Sequence, residues 1–314
     1  MTRRNFLLTS AAALGASALT PRQRVDRALK GQEADRVPFT FWYHFGLENR
    51  PGEAHAKATL EFHRKFRTDL VKVMSDYAFP RPPGKWHELR VNTTPFPEQL
   101  RALSMIDQSL RGQAYFVETI FNPWNVAEKL SSKEEVLRLK QENPAALLEA
   151  LQAIAESEAA HARKSVSAGA AGVFLAIANA QAGILTPEEY ARFSEPFDKL
   201  ILKAVESAPL NILHLHGDQV YLDRFMTGWP TAAINYSPQG TGRSLAAVRS
   251  AYSGVLMGGI DEQAYRALSE ADLRRQLESA REAAGKQFVL TPGCSVPNET
   301  TDSEMLRLTR VAGA

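Results

Sequence analysis

The sequence predicts an α/β protein built as a single (β/α)8 TIM barrel, on three observations. Eight short apolar runs recur along 314 residues, and most are continuous rather than alternating, as strands covered on both faces are. Amphipathic helical stretches separate them, a rhythm that favours a parallel sheet with helices outside it. The residues able to do chemistry sit just after the apolar runs, the end at which barrels of this kind carry their sites.

The expected strands are 37–45, 70–76, 115–121, 172–178, 211–217, 232–238, 254–261 and 287–293. The clearest helices are 53–67, 144–168, 186–207, 244–253 and 269–285. Thr186 is an N-cap ahead of Pro187 at the first helical position, and Ser269-Glu270-Ala271-Asp272 has capping-box spacing. Gly285 stops the last of these helices. No G-x-G-x-x-G follows the first strand, which argues against a dinucleotide site. The proline-rich stretch 79–96 reads as a long loop over the barrel mouth, with Trp86, His87 and Trp124 expected to cover the cavity.

Composition bounds the function. A hydrophobic fraction of 44%, a charged fraction of 23% and a net charge of +2 describe an ordinary globular chain. No Lys/Arg block suggests a nucleic-acid or membrane-surface partner, so a small-molecule substrate is expected. One cysteine excludes an intramolecular disulfide. Residues 1–20 read as a twin-arginine signal: Arg3-Arg4-Asn5-Phe6-Leu7, an apolar run to Leu19, and a small-x-small site at Ala16-Ser17-Ala18. The run is too short to span a bilayer. The expectation is a periplasmic protein whose barrel occupies 21–314; the alternative is a basic terminal helix on a cytoplasmic one.

The polar residues at the strand ends are, in order, His44, Asp76, Glu118 with Asn122, Asn179 with Gln181, His214 with His216, Tyr236, Asp261 and Cys294. Residues i and i+2 on a strand share a face. Two imidazoles and the thiolate of Cys294 are therefore a candidate trio of Zn²⁺ ligands with a fourth position open, provided their strand ends converge. The alternative for His214 and His216 is a hydrogen-bonding pair lining a pocket. Asp76 is either catalytic or a loop cap. His44, flanked by Trp42 and Tyr43, is a fourth ligand, an acid–base group or a packing residue. Glu118, Asn122, Gln181, Tyr236 and Asp261 are the candidate substrate-binding groups, Asp261 mainly by organising its own loop.

Several segments in sequence order resemble the uroporphyrinogen decarboxylase superfamily. They are Arg24-Val25-Asp26-Arg27-Ala28-Leu29-Lys30-Gly31 with Asp35-Arg36-Val37-Pro38, then Met74-Ser75-Asp76, then Gly183-Ile184-Leu185-Thr186-Pro187-Glu188-Glu189-Tyr190 with Phe193 and Pro196. Leu213-His214-Leu215-His216-Gly217, Gly259-Ile260-Asp261 and Pro292-Gly293-Cys294-Ser295-Val296-Pro297 with Thr300 complete the set. The resemblance covers nearly all of 21–314 and implies a (β/α)8 barrel. It also implies one of two activities: decarboxylation of a tetrapyrrole, in which Asp76 would meet the macrocycle's pyrrole N–H groups, or zinc-dependent methyl transfer between a corrinoid, as co-substrate or on a partner protein, and a thiol.

Departures within the resemblance favour the second. The decarboxylases carry an Arg-Gln-Ala-Gly-Arg stretch after the first strand that grips carboxylates. Here that segment is Phe41-Trp42-Tyr43-His44-Phe45-Gly46-Leu47, without arginine. Cys294 stands where the decarboxylases have histidine and the methyltransferases cysteine. His216 stands where the methyltransferases have a second cysteine. The expectation is therefore a methyltransferase-like enzyme holding zinc through two histidines and one cysteine. The alternatives are a uroporphyrinogen decarboxylase and an exported, non-enzymatic ligand-binding barrel.

Overall fold

The computed structural model describes residues 18–314; the greater part of the expected signal segment lies outside the described residues. Seven parallel strands form one sheet in sequential order: β1 Leu70–Val73, β2 Tyr115–Phe121, β3 Val173–Ile177, β4 Ile212–Leu215, β5 Ala233–Tyr236, β6 Val255–Ile260 and β7 Phe288–Pro292. Helices cover its outer face: α1 Pro21–Leu29, α2 Gly52–Phe66, α3 Pro97–Leu110, α4 Pro123–Leu130, α5 Lys133–Glu142, α6 Pro144–Ser167, α7 Pro187–Phe193, α8 Glu195–Lys203, α9 Pro238–Thr241, α10 Leu245–Arg249, α11 Glu270–Ala284 and α12 Asp302–Val311. Among the described residues no helix is long and apolar enough to cross a membrane.

The first expected strand, 37–45, is the main correction to the predicted architecture. It is reduced to one parallel bridge, Phe39 with Leu290. Its backbone nevertheless reaches both edges of the sheet: Thr40 N–H donates to the Leu290 carbonyl, Leu290 N–H to that of Pro38, and Asp69 N–H to that of Phe39. The reason for the shortness is local. After Thr40 the chain turns its aromatic residues sideways into the core, Phe41 against Phe62 and Phe66 and Trp42 against Phe174, so the backbone leaves the ladder.

The local signals act as expected elsewhere. Thr186 and Ser269 close capping boxes with Glu189 and Asp272, and Gly285 ends α11 at φ 71°. The expected helix 186–207 is divided at Ser194, which ends α7 and caps α8 with Pro196 in its first turn. A proline there cannot extend the preceding helix without breaking a hydrogen bond. Two apolar layers result. Inward-facing strand residues such as Leu70, Val117, Phe174, Ala233 and Met257 fill one, and their outward-facing neighbours pack against the helices.

At the end of the sheet where strands begin, Asp69 is fully buried. It accepts from Arg24 Nη1 at 3.2 Å, Arg36 Nη2 at 3.1 Å and Phe39 N–H at 3.0 Å. The clamp ties α1, the short first segment and β1 together, far from the polar strand ends.

Candidate metal centre

β4 is the best-paired carrier of candidate ligands, bonded to β3 and β5. It sends Ile212 and His214 inward, and His216 follows with the same parity. Cys294 arrives from the other side, two residues after β7. Its approach depends on Gly293, where an added Cβ would lie 2.4 Å from Ser237 Cα. Glu262 fixes this turn, accepting from Gly293 N–H at 3.1 Å and Ser237 Oγ at 3.3 Å. Val296 N–H then donates to the Trp42 carbonyl at 3.0 Å.

The three side chains converge. One ligand atom from each of His214, His216 and Cys294 lies within 4.8 Å of the others, and Cys294 Sγ is 3.6 Å from His214 Nε2. Burial pushes the Cys294 thiol up, but the two imidazoles outweigh it and bring it down to about 4. The thiolate is the ligand form. The hydrogen bond to Cys294 holds His216 above the usual histidine range.

Behind His214 stands Asn235, its register partner on β5. The Asn235 amide donates to the Met257 carbonyl, Thr291 Oγ1 and the Pro292 carbonyl at 3.0–3.2 Å. Its Oδ1 is thereby left to accept from His214 Nδ1 at 2.6 Å. With Nδ1 committed to donating, Nε2 is the ring atom turned toward Cys294 and the one available to a metal. Phe174 stacks on the same ring at 5.0 Å. The donor set, the fixed tautomer and the anionic sulfur fit Zn²⁺. Asn235→Ala is expected to weaken zinc about 10–100-fold, as loss of an orienting partner does, which competition with a chromophoric chelator reads directly.

The trio opens into a cavity of about 470 Å³ walled by Trp42, Phe121 and Phe174, with His44 and Thr119 also lining it. Lys72, on β1, lies at its inner wall and is 8% exposed. Burial pushes its ammonium down to about 7. Lys129 lines the same space, burial lowering it to about 8.

His44 Nδ1 meets Asp76 Oδ1 at 3.2 Å. Burial pushes the Asp76 carboxyl up, but the hydrogen bond and charge of His44 outweigh it, and the net direction is down. Asp76 Oδ2 is buried without a partner, and the residue lines a smaller neighbouring cavity of about 190 Å³ together with Arg81 and Glu158. Burial holds the Glu158 carboxyl well above its ordinary range.

The five candidate substrate-binding groups lie outside the larger cavity. Glu118 faces the helices, accepting from Gln99 Nε2 at 2.8 Å and paired with His161 Nε2 at 2.9 Å; Thr119 points inward in its place. Tyr236 is likewise one residue out of phase, fully buried in the helix-facing core while Asn235 takes the inward position. Asn122 caps α4 and donates to Asn179 and Ser194. Gln181 donates to the His216 carbonyl at 3.3 Å, so it positions a candidate ligand from behind. Asp261 accepts from Gln263 and Ala264 N–H and organises its own turn. Trp124 is a core residue, bonded to Glu128, and neither Trp86 nor His87 lines the cavity.

Sequence reasoning missed Asn235 and Lys72. Each is a lone polar side chain inside a run buried on both faces, and that isolation was the available signal.

The family model described as uroporphyrinogen decarboxylase (URO-D) matches residues 77–313. A uroporphyrinogen decarboxylase of Trichodesmium erythraeum (strain IMS101) is 25% identical over 213 residues, covering 65% of this chain. The match spans 59% of that relative's length. Among solved structures, a methyltransferase from Methanosarcina mazei superposes with a TM-score of 0.75 at 18% identity, covering 94% of this chain and 99% of its own. A B12-independent methionine synthase from Shewanella sp. W3-18-1 gives 0.55 at 10% identity, covering 88% and 93%. Those two likenesses are of fold.

Proposed function

This chain belongs to the uroporphyrinogen decarboxylase family, and from that premise we propose that it is a zinc-dependent, methyltransferase-like member, transferring a methyl group between a corrinoid-type donor and a thiol acceptor. The observation that carries the reading is the convergence of His214, His216 and Cys294 within 4.8 Å at one end of an apolar cavity. The fold is read as a (β/α)8 barrel whose eighth strand is the bridged segment at Phe39.

Zinc bound there would lower the pKa of an acceptor thiol taken into its open position and present it as a nucleophile. The chain's own residues do the rest. Asn235 keeps His214 Nε2 aimed inward. Gln181 and the Glu262–Gly293 contact hold the other two ligands in place. Trp42 and Phe174 keep the site dry on one side, which strengthens charge interactions within it. Two imidazoles and one thiolate leave the metal less anionic than one imidazole and two thiolates would, hence a stronger Lewis acid.

Decarboxylation of a tetrapyrrole is less well supported, because no arginine lines the cavity that holds the trio. Residues 1–20 are proposed to export the folded, metal-loaded chain through a twin-arginine route.

Metal analysis of full-length protein purified without chelator tests the reading. About one zinc per chain is expected from three convergent ligands; metal-free wild-type protein sinks it.

A further inference from the structure

His44 and Asp76 form a pair that stands apart from the trio. Among the described residues the convergent ligand group has three members, and His44 is not one of them, although it lines the same cavity. The Asp76 side chain is 1% exposed and that of His44 42%. Among the described residues His44 is the one side-chain partner of this carboxylate, Nδ1 meeting Oδ1 at 3.2 Å. A carboxylate only accepts, so Nδ1 donates and Nε2 keeps the free lone pair of the ring. The backbone is held as well, His44 N–H donating to Asn298 Oδ1 at 3.2 Å. A buried carboxylate with one partner and one orphaned oxygen is stabilised by positive charge beside it, which a proton on Nε2 supplies. The other ionisable groups of the wall are Lys72 on β1, Glu128 and Lys129 on α4 and Lys133 on α5. Burial is the leading influence on Lys72 and Lys129 and opposes charge on both. Glu128 is occupied, accepting from Trp124 Nε1 and Asn125 Nδ2, and Lys133 is exposed.

We propose that His44 Nε2 is the base that takes the proton of the acceptor thiol, with Asp76 as its positioning residue. The proposal deepens the methyl-transfer reading and rests on it for the arrival of a thiol at the trio. The S–H bond breaks, its electron pair stays on sulfur as the nucleophile, and the proton passes to Nε2. No charge leaves the cavity in this step; it is only redistributed. The imidazolium then faces the Asp76 carboxylate through Nδ1, an arrangement that holds a histidine cation at low cost. Asp76 acts through the ring and not on the substrate, since it lines the smaller cavity rather than the larger one.

Calorimetric titration of zinc-analysed full chain with 2-mercaptoethanol, in two buffers of different ionisation heat, counts the protons released per thiol bound. The pH is one at which ring-nitrogen NMR of the free protein shows His44 neutral. Wild type is expected to release close to none, because His44 keeps the proton, and His44→Gln about one, at the zinc content of wild type. Asp76→Asn is expected to fall between the two, because an amide oxygen still orients the ring but carries no charge. A merely structural role for the pair would leave the proton count unmoved. Equal counts in wild type and His44→Gln overturn the proposal and assign the proton to solvent or to a lysine. An Asp76→Asn count equal to that of wild type overturns the part given to Asp76. If His44→Gln does not fold, NMR of wild type decides: a His44 ring that becomes imidazolium as thiol is added supports the assignment, and one that stays neutral overturns it. Zinc present with no thiol bound overturns it too and leaves the metal in place. Absence of zinc sinks the metal reading, and this proposal with it.

Discussion

Cys294→Ala is expected to purify with its fold intact and its zinc gone. The loss in zinc affinity should exceed about 100-fold, because removing a group that merely orients a ligand already costs 10–100-fold. Stability without metal should change little, within about 1 kcal/mol. Cys294 is half-buried on a loop, and its polar contacts are with His214, His216 and Ser295. Elemental analysis and thermal melting in the presence of chelator measure the two quantities separately. A variant that keeps full zinc would show that sulfur is no ligand; one that unfolds would show that the loop is structural.

Asp69→Ala is expected to do the reverse, costing stability and sparing the metal. The carboxylate is fully buried and serves Arg24, Arg36 and the Phe39 amide together. Arg24 keeps its pair with Asp35, so the loss falls on the Arg36 guanidinium and the Phe39 N–H, at about 1–3 kcal/mol. That translates to roughly 5 °C in melting temperature for a chain of this size. Zinc content per folded chain should stay at the wild-type level, since the clamp lies at the opposite end of the strands from the trio. A drop smaller than about 2 °C would mean that the arginines find solvent instead.

The sequence placed every strand of the sheet and the longer helices α2, α6 and α11, because continuous apolar runs and amphipathic periods are written locally. The capped helices α1, α4, α5 and α12 were not among those expected. The sequence also named the three residues that converge, since the two-residue spacing of His214 and His216 fixes their parity whatever the neighbours do, though their meeting with Cys294 depended on the strand ends lying together. Parity is also what failed. In β2 and β5 both faces are buried, so hydrophobicity does not mark which side faces inward. Glu118 was taken for Thr119's position, and Tyr236 for that of Asn235. The pairing of His214 with Asn235 supplies the missing phase, but strand register is a tertiary fact. The shortness of the first strand was hidden for a similar reason: Phe41 and Trp42 look like strand residues until their packing partners, distant in sequence, are known.

The single bridge at Phe39 sets where the molecule can breathe. Backbone ladders run unbroken from β1 to β7, while the seam between those two edges depends on a few hydrogen bonds and the Asp69 clamp. Opening free energies are lowest where ladders are shortest. Cys294 and Trp42 sit beside that seam, joined through the Val296–Trp42 hydrogen bond, whereas His214 is anchored on the fully laddered β4. An ion held by all three ligands would therefore work as a rivet, fastening the loosest margin of the sheet to its firmest strand and converting binding energy into closure.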